Sequence, residues 1–310
     1  RMSGGSGRVG RGAVLSTAEG QNRGAFTLRD WSLFGSIGSI WGASFLFIAV
    51  GLEAFEPGVI TWARIMLGAT VLWLMPASRV PVDRRDRPRL LAVAVFWVAV
   101  PFTLFPLAEQ HISSALTGLL NGAVPILTAA VAAIMLRRWP DRTHLAGLAI
   151  GFAGVAIIAL PAAGSGSSEA VGVAMVLAAI SCYGFASNVA VPLTQRYGSL
   201  PVMARMLSIA AVLTAPFGLA GLPASGFSAA SFVAVAVLGM VGTGLAFSIM
   251  GRLIARVGAT RGGFAIYLTP VVALILGVVF LDERIHAGAL AGIALVLAGA
   301  ALASRKGSTG

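Results

Sequence analysis

The chain has 310 residues, of which 57% are hydrophobic and 11% are charged, and its formal net charge is +11. A soluble domain carries about 25% charged residues, so this composition excludes an ordinary water-soluble domain and indicates an integral membrane protein. The positive charge does not indicate nucleic-acid binding, because the arginines lie between apolar runs and not together on a soluble face.

Ten apolar runs follow a Gly-, Ser- and Arg-rich segment over residues 1–30, which is predicted to be a disordered cytoplasmic tail. The first run is long and no small-residue cleavage site follows it, so it is predicted to be a retained span. Each run has about the 20 residues that a spanning helix needs, and continuous apolar sequence favours helices over strands. The predicted spans lie near 33–52, 58–76, 90–108, 113–136, 144–162, 170–192, 200–220, 230–250, 262–281 and 287–304.

The basic residues predict the orientation of the spans. With a cytoplasmic N-terminus, 19 of the 22 Arg and Lys residues fall in cytoplasmic segments, and only Arg284 falls in an outer loop. This asymmetry follows the rule that cytoplasmic loops are positive. An even number of spans then puts the tail at 305–310 in the cytoplasm as well, as expected for a multi-pass protein of a bacterial cytoplasmic membrane.

The two halves of the chain repeat one plan. The stretch "LAGLAIGFAG" from Leu145 returns as "LAGIALVLAG" from Leu290, and Pro125 and Arg64 align with Pro270 and Arg205. The repeats are assigned to residues 31–162 and 163–304, with five helices each. Because five is odd, the second repeat enters the membrane from the opposite side. The cytoplasmic pair Arg137-Arg138 accordingly aligns with the outer pair Asp282-Glu283. Inverted repeats of this kind are typical of secondary transporters.

Two segments resemble a known family. "WGASFLFIAVGLEAFEPGVITWAR", from Trp41, is similar to the opening of EamA-type members of the drug/metabolite transporter superfamily. "VGATRGGFAIYLTPVVALILGVVFLDERIHAGALAGIALVLAGAAL", from Val257, is similar to their closing pair of helices. The resemblance implies ten helices, two EamA-like repeats and export of small metabolites, often amino acids. Such proteins often carry a Glu after helix 4, where this chain has Arg137-Arg138.

Prolines indicate where a binding site would lie. Pro125 and Pro270 fall near the middle of helices 4 and 9, and each frees the carbonyl group four residues earlier. Interruptions at equivalent depths in two repeats are typical of a transporter site, and the side chains of Asn121 and Tyr267 lie beside them. The alternative is that both prolines only kink their helices. The other candidate cavity residues are Trp41, Ser44, Trp97, Phe105, Tyr183 and Asn188.

Each of these further candidates has a structural alternative. The aromatic side chains of Trp97 and Phe105 suit an apolar or aromatic substrate, but they suit the protein core or lipid contacts equally. Asn188 lies deep enough in the membrane to need a hydrogen-bond partner, which a neighbouring helix could supply. Cys182, inside an apolar run, is interpreted as a small buried thiol.

Charged residues divide into two groups. Arg64 and Arg205 are the only ones well inside predicted spans, at pseudo-symmetric positions. Either one of them binds a substrate carboxylate, or both bind free carbonyl groups or bridge the repeats. All acidic residues fall at helix ends or in loops, so no carboxylate is predicted at the bilayer centre, where proton-driven carriers commonly place one. Glu283 is a candidate for the outer gate or for a helix cap.

The sequence therefore predicts an all-α integral membrane protein of ten helices that exports small metabolites by alternating access and acts as a monomer. Small amino acids and aromatic analogues are the expected substrates, moved down their own gradient. A membrane enzyme and a multidrug or nucleotide-sugar carrier of the same fold are the alternatives. His111, His144 and His286 are widely separated, and no "GxxxxGK[ST]" segment occurs, so no cofactor, metal or nucleotide is expected.

Overall fold

The computed structural model describes residues 25–136, 142–165 and 167–303, and this part of the chain is helical without strands. Ten helices follow one another through short connections. They are α1 (Leu28–Leu52), α2 (Pro57–Trp73), α3 (Arg84–Glu109), α4 in two parts (Ser114–Asn121 and Val124–Leu136), α5 (Arg142–Ser165), α6 (Ser167–Tyr197), α7 (Ser199–Gly221), α8 (Ala229–Val257), α9 in three parts (Ala259–Gly263, Phe264–Leu268 and Thr269–Leu281) and α10 (Ala287–Ala303).

Eight of the described helices are long and apolar enough to cross a membrane, and two shorter apolar helices, Pro57–Trp73 and Ala287–Leu302, accompany them. We call the end of the bundle where α1 begins the near face and the end where α1 terminates the far face. Because the connections are short, each helix runs back across the bundle. The loops before α2, α4, α6, α8 and α10 therefore lie at the far face.

Helix ends extend beyond the predicted apolar runs. The first helix begins at Leu28, not near residue 33, so the last three residues of the predicted tail are helical. The cause is a capping box, in which Thr27 Oγ1 accepts a hydrogen bond from the Asp30 amide and the Asp30 carboxylate accepts one from the Thr27 amide. Helix α3 begins at Arg84 and α8 continues to Val257, because charged turns extend both helices beyond their apolar segments.

Helices at equivalent positions of the two halves pack antiparallel. In the α2–α7 pair, Gly58 lies against Phe217 at one end, and Trp73 Nε1 donates a hydrogen bond to Ser208 Oγ (2.8 Å) at the other. In the α4–α9 pair, Gly118 lies against Ala273, and Gly277 lies against Ala115. The two helices of each pair therefore run in opposite directions.

The repeated "LAG" segments form the α5–α10 contact, which is also antiparallel. A Cβ atom added at Gly154 would lie 2.5 Å from the carbonyl oxygen of Gly292, and one added at Gly299 would lie 2.5 Å from that of Gly147. Only glycine allows two helix backbones to approach this closely. The small residues of Gly147-x-x-x-Gly151 thus pack inside this chain, and so do those of Gly118-x-x-x-Gly122, which face Ala273 and Pro270.

Two further antiparallel pairs, α1–α8 and α3–α6, close the near face with ion pairs. Arg256 Nε at the end of α8 lies 2.6 Å from the Asp30 carboxylate at the start of α1. Arg196 Nη1 at the end of α6 lies 3.1 Å from the carboxylate of Asp86 at the start of α3, which also accepts a hydrogen bond from Tyr197 (2.7 Å). Both ion pairs therefore lie at the same end of the bundle.

Helices α3 and α8 each contain one π-helical segment, Ala94–Ala99 and Met240–Leu245, which the sequence analysis did not predict. In α3 the segment precedes Pro101, whose missing amide hydrogen removes a regular helical hydrogen bond. In α8 it contains Thr243, whose hydroxyl donates to the carbonyl oxygen of Leu238 (3.1 Å). π-Helical turns are frequent at functional sites.

Candidate functional site

The interruptions of α4 and α9 meet inside the bundle. The first part of α4 ends at Asn121, and the second part begins at Val124, directly before Pro125. Helix α9 changes to a 3₁₀ helix over Phe264–Leu268 and becomes α-helical again at Thr269, directly before Pro270. Gly122 in the α4 interruption lies against the ring of Pro270. We call this contact, formed by residues 121–125 and 264–270, the interruption site.

Two polar atoms at the interruption site have no partner. Within the described residues, Asn121 Oδ1 and Thr269 Oγ1 are buried and accept or donate no hydrogen bond. Leaving such an atom unsatisfied costs about 1–3 kcal/mol, and buried polar atoms of folded proteins are nearly always paired with protein or water. Their presence on both sides of one contact indicates a place that water or a polar ligand can occupy.

Aromatic side chains connect the first part of α4 to α3 and α6. Gly118 lies against Phe45, whose ring is 5.7 Å from that of Phe105, and Phe105 in turn is 5.9 Å from Tyr183. Tyr267 stacks on Phe264 (5.8 Å) and packs against the same hydrophobic cluster as this row. The structure therefore brings three of the predicted residues, Phe105, Tyr183 and Tyr267, into one cluster.

The other predicted polar and aromatic residues have structural partners. Ser44 is buried and donates to the Ile40 carbonyl oxygen of its own helix (3.1 Å). Asn188 Nδ2 donates to the carbonyl oxygens of Thr128 (3.2 Å) and Gly184 (2.8 Å). Asn188 thus has the hydrogen-bond partner on a neighbouring helix that was the alternative to a role in the cavity. Trp41 lies edge-on against Phe247 (6.2 Å), and Trp97 packs with Trp41 and Tyr183 against a second hydrophobic cluster.

Arg64 on α2 lies in the interior, with only 6% of its surface exposed. Its guanidinium carbon lies 3.8 Å above the ring of Phe102, and its Nε donates to Thr243 Oγ1 (3.0 Å) in the π segment of α8. Among the described residues, no hydrogen bond from its two terminal nitrogens is seen. Phe102 precedes Glu109 by seven residues, about two turns of the same helix. A buried guanidinium with free donors is a strong anion-binding group.

Glu109 is the last residue of α3 and lies at the far face. Part of its side chain is accessible, but both carboxylate oxygens are buried and have no hydrogen-bond partner within the described residues. It lines a cavity of about 490 Å³ that opens at the far face, together with Gln110, Ser113, Glu169, Arg284 and His286. Glu109 therefore lines this cavity about two helical turns beyond Phe102, the ring under Arg64.

The chain matches one family throughout both halves. The model of the EamA-like transporter family matches it twice, over residues 31–160 and 170–305. The chain belongs to the EamA-like transporter family. The first match spans α1–α5 and the second α6–α10, so the transporter is a multi-pass membrane protein built from two regions that match the same family model.

Named relatives and a solved structure resemble this EamA-like transporter. It is 28% identical over 274 residues to a "Probable terminal-alkyne amino-acid exporter" of Streptantibioticus cattleyicolor, covering 86% of this chain and 90% of that protein. It is 25% identical over 276 residues to a "Probable amino-acid metabolite efflux pump" of Salmonella typhimurium, covering 84% and 89%. A crystal structure with 20% identity superposes with a TM-score of 0.63, covering 88% of this chain and 96% of that one, and shares its fold.

The two arginines of the EamA-like transporter differ in environment, although the sequence aligns them. Arg205 Nη1 donates to the carbonyl oxygens of Ser78 (2.9 Å) and Pro201 (3.0 Å), and its guanidinium lies over Trp73. These contacts fix the near ends of α2 and α7, which is the structural alternative of the sequence analysis. Arg64 alone of the pair keeps free donors in the interior.

Glu283 caps a helix. One carboxylate oxygen accepts hydrogen bonds from the amide and hydroxyl of Ser114, and the other accepts one from the amide of Ala115, all at 2.8 Å. A carboxylate at a helix N-terminus satisfies free amides and interacts favourably with the helix dipole. It joins the end of α9 to the start of α4 at the far face. Arg137-Arg138, its aligned counterpart, lies outside the described residues.

Sequence reasoning missed Glu109 and Thr269 as candidates. Glu109 lies at a helix end, as predicted, but an acidic residue at the end of an apolar run normally reaches solvent. Only the packing of α3 against its neighbours buries its oxygens. Thr269 directly precedes Pro270, and this adjacency is the signal that could have identified it.

Proposed function

We propose that this protein exports small amino acids, including aromatic or apolar ones, or related toxic analogues. Transport proceeds by alternating access between two five-helix repeats of inverted topology. The amino-acid assignment draws on the names of the two relatives above. The membrane is the bacterial cytoplasmic membrane, with both termini in the cytoplasm, and the positive near-face segments support this orientation. The protein acts as a monomer.

The observation that carries the proposal is the interruption site. It joins equivalent helices of the two halves, and it contains buried polar atoms on both sides that have no partner within the described residues. An aromatic row of Phe45, Phe105 and Tyr183 extends from Gly118 in the same part of α4. Interrupted helices near mid-membrane are where secondary transporters bind substrate. The antiparallel packing of α2 with α7, α4 with α9 and α5 with α10 supports the inverted arrangement, because inversion requires equivalent helices to run in opposite directions.

Counterflow into proteoliposomes tests the function. Purified protein is reconstituted into vesicles preloaded with unlabelled L-phenylalanine or L-leucine, with the same pH on both sides. We expect saturable uptake of the labelled amino acid without an imposed pH gradient. Strict dependence on a pH gradient would contradict the facilitative mode, non-saturating flux would indicate a channel, and absence of exchange with both amino acids would contradict amino-acid export.

A further inference from the structure

We propose that Glu109 and Arg64 form a charge-reading pair that binds the ammonium and carboxylate groups of a zwitterionic amino acid. This assignment rests on the proposed export function and extends it, because it names the groups that distinguish an amino acid from a simple carboxylic acid or amine. No other described pair of opposite charges combines burial with unused hydrogen-bonding atoms in this way.

The carboxylate of Glu109 is suited to an ammonium group. Within the described residues both of its oxygens are buried without a hydrogen-bond partner. Burial disfavours the charged form of a carboxyl group, and an ammonium group that binds beside it stabilises the carboxylate. A second acidic residue at the far face is Glu283. The oxygens of Glu283 are already occupied by the amides and hydroxyl at the start of α4, so an incoming cation finds its free acceptors on Glu109.

The guanidinium of Arg64 is suited to a carboxylate. Thr243 and the ring of Phe102 hold its Nε side and one face in place, which orients the two terminal nitrogens without using them. A guanidinium presents these nitrogens as a planar fork that matches the two oxygens of a carboxylate. Arg64 lies over Phe102, which precedes Glu109 by seven residues, or about two turns, on the same side of α3. In the proposed complex a zwitterion, whose two charges lie a few ångströms apart, binds on this side of the helix between the two groups.

The surroundings of the pair suit the rest of an amino acid. Phe105 lies three residues after Phe102, the ring under Arg64, and its own ring is 5.9 Å from that of Tyr183. An aromatic or apolar side chain extending from the bound charges would therefore meet these rings. On the other side, Glu109 lines the cavity of about 490 Å³ that opens at the far face. A ligand bound at the pair would therefore lie between the aromatic row and an opening to that face.

Competition in the counterflow assay tests the pair in the wild-type protein. Labelled L-phenylalanine is competed with unlabelled L-phenylalanine, with 3-phenylpropionate, which lacks the ammonium group, and with 2-phenylethylamine, which lacks the carboxylate. We expect each analogue to compete at least about tenfold more weakly than L-phenylalanine, as one lost charged hydrogen bond implies. If leucine is the better substrate, 4-methylpentanoate and 3-methylbutylamine replace the analogues. Equal competition by either analogue overturns the assignment.

Two substitutions then assign each charge to its residue. Glu109→Gln should weaken competition by L-phenylalanine about tenfold without weakening 3-phenylpropionate, so the discrimination between them disappears. Arg64→Lys should reduce the discrimination against 2-phenylethylamine in the same way, because the planar fork is lost. Glu53→Gln, at an exposed far-face carboxylate, and Arg205→Lys, at the aligned arginine with carbonyl partners, should leave both ratios unchanged.

The outcomes separate the two proposals. Normal wild-type exchange with unchanged discrimination in Glu109→Gln overturns the charge-reading pair and leaves amino-acid export standing. Failure of the wild-type protein to exchange L-phenylalanine and L-leucine contradicts both. If Glu109→Gln does not fold, Glu109→Asp keeps the charge and should keep the discrimination at lower affinity, and the wild-type competition decides the question by itself.

Discussion

At the scale of single residues, burial alone does not distinguish a binding residue from a structural one. Asn121 and Asn188 are both half-buried asparagines in membrane helices. The amide nitrogen of Asn188 bonds two carbonyl oxygens, one of them on another helix, whereas the amide oxygen of Asn121 bonds nothing within the described residues. The first arrangement joins two helices, and the second leaves an amide oxygen that can accept a hydrogen bond from a ligand.

This contrast predicts that the same substitution lowers stability at Asn188 and lowers transport activity at Asn121. Asn188→Leu should lower the free energy of unfolding by about 1 kcal/mol, the usual scale of a hydrogen bond between membrane helices. Asn121→Leu should lower exchange at least about tenfold and leave stability nearly unchanged, and Tyr267→Leu should behave like Asn121→Leu. Thermal unfolding in detergent and counterflow measure the two effects. Wild-type exchange by Asn121→Leu would remove this residue from the site.

Glu283 carries a prediction of stability. Glu283→Ala removes three hydrogen bonds from the start of α4, and we expect a loss of about 2 kcal/mol, as for a strong helix cap. Asp282→Asn is the matched control. Asp282 is exposed and has a positive φ of 52°, a conformation that Asn also tolerates. An equal loss of stability in both variants, measured by thermal unfolding, would argue against the cap.

At the scale of helices, the α5–α10 contact explains why one stretch of sequence occurs twice. The two segments place glycines where two antiparallel backbones touch. Gly299→Ala should therefore destabilise the protein by about 1–3 kcal/mol, the usual cost of overpacking. Gly288→Ala, in the same helix but with no atom within 4 Å of the added Cβ, is the control and should be neutral or slightly stabilising. Equal effects of the two substitutions would contradict the close contact.

Some elements follow from local chemistry and could be predicted. A proline removes a backbone donor wherever it lies, so the sites of interruption beside Pro125 and Pro270 are readable from the sequence. The ten apolar runs likewise correspond to the ten described helices. The predicted positions of the helix ends are less accurate, because a capping box at Thr27 and charged turns in α3 and α8 lengthen these helices beyond their apolar residues.

Other features depend on distant partners and could not be predicted. Arg64 and Arg205 align in the sequence, yet one reaches Thr243 and Phe102 in the interior and the other reaches two carbonyl oxygens near the bundle end. No local pattern separates them. The burial of the Glu109 oxygens similarly results from tertiary packing. Sequence therefore located the interruptions and named both arginines, but it did not separate Arg64 from Arg205 and did not identify Glu109.

At the scale of the whole molecule, the contacts have an approximate exchange symmetry. The contact of α1 with α8 corresponds to that of α6 with α3. The ion pairs in these two contacts both lie at the near face, so they are not part of the symmetry. The equivalent helices α2 and α7, α4 and α9, and α5 and α10 contact each other directly. Two halves related in this way can exchange conformations, which is the basis of alternating access.

Labelling of introduced cysteines tests the inverted arrangement of the two halves most directly. In a Cys182→Ala background, Thr143→Cys and Ala287→Cys place single thiols at the exposed starts of α5 and α10, which are equivalent helices. In intact cells, an impermeant maleimide should react with the cysteine at 287 and should react with the one at 143 only after the membrane is opened. Reaction of both thiols in intact cells, or protection of both, would contradict inverted repeats.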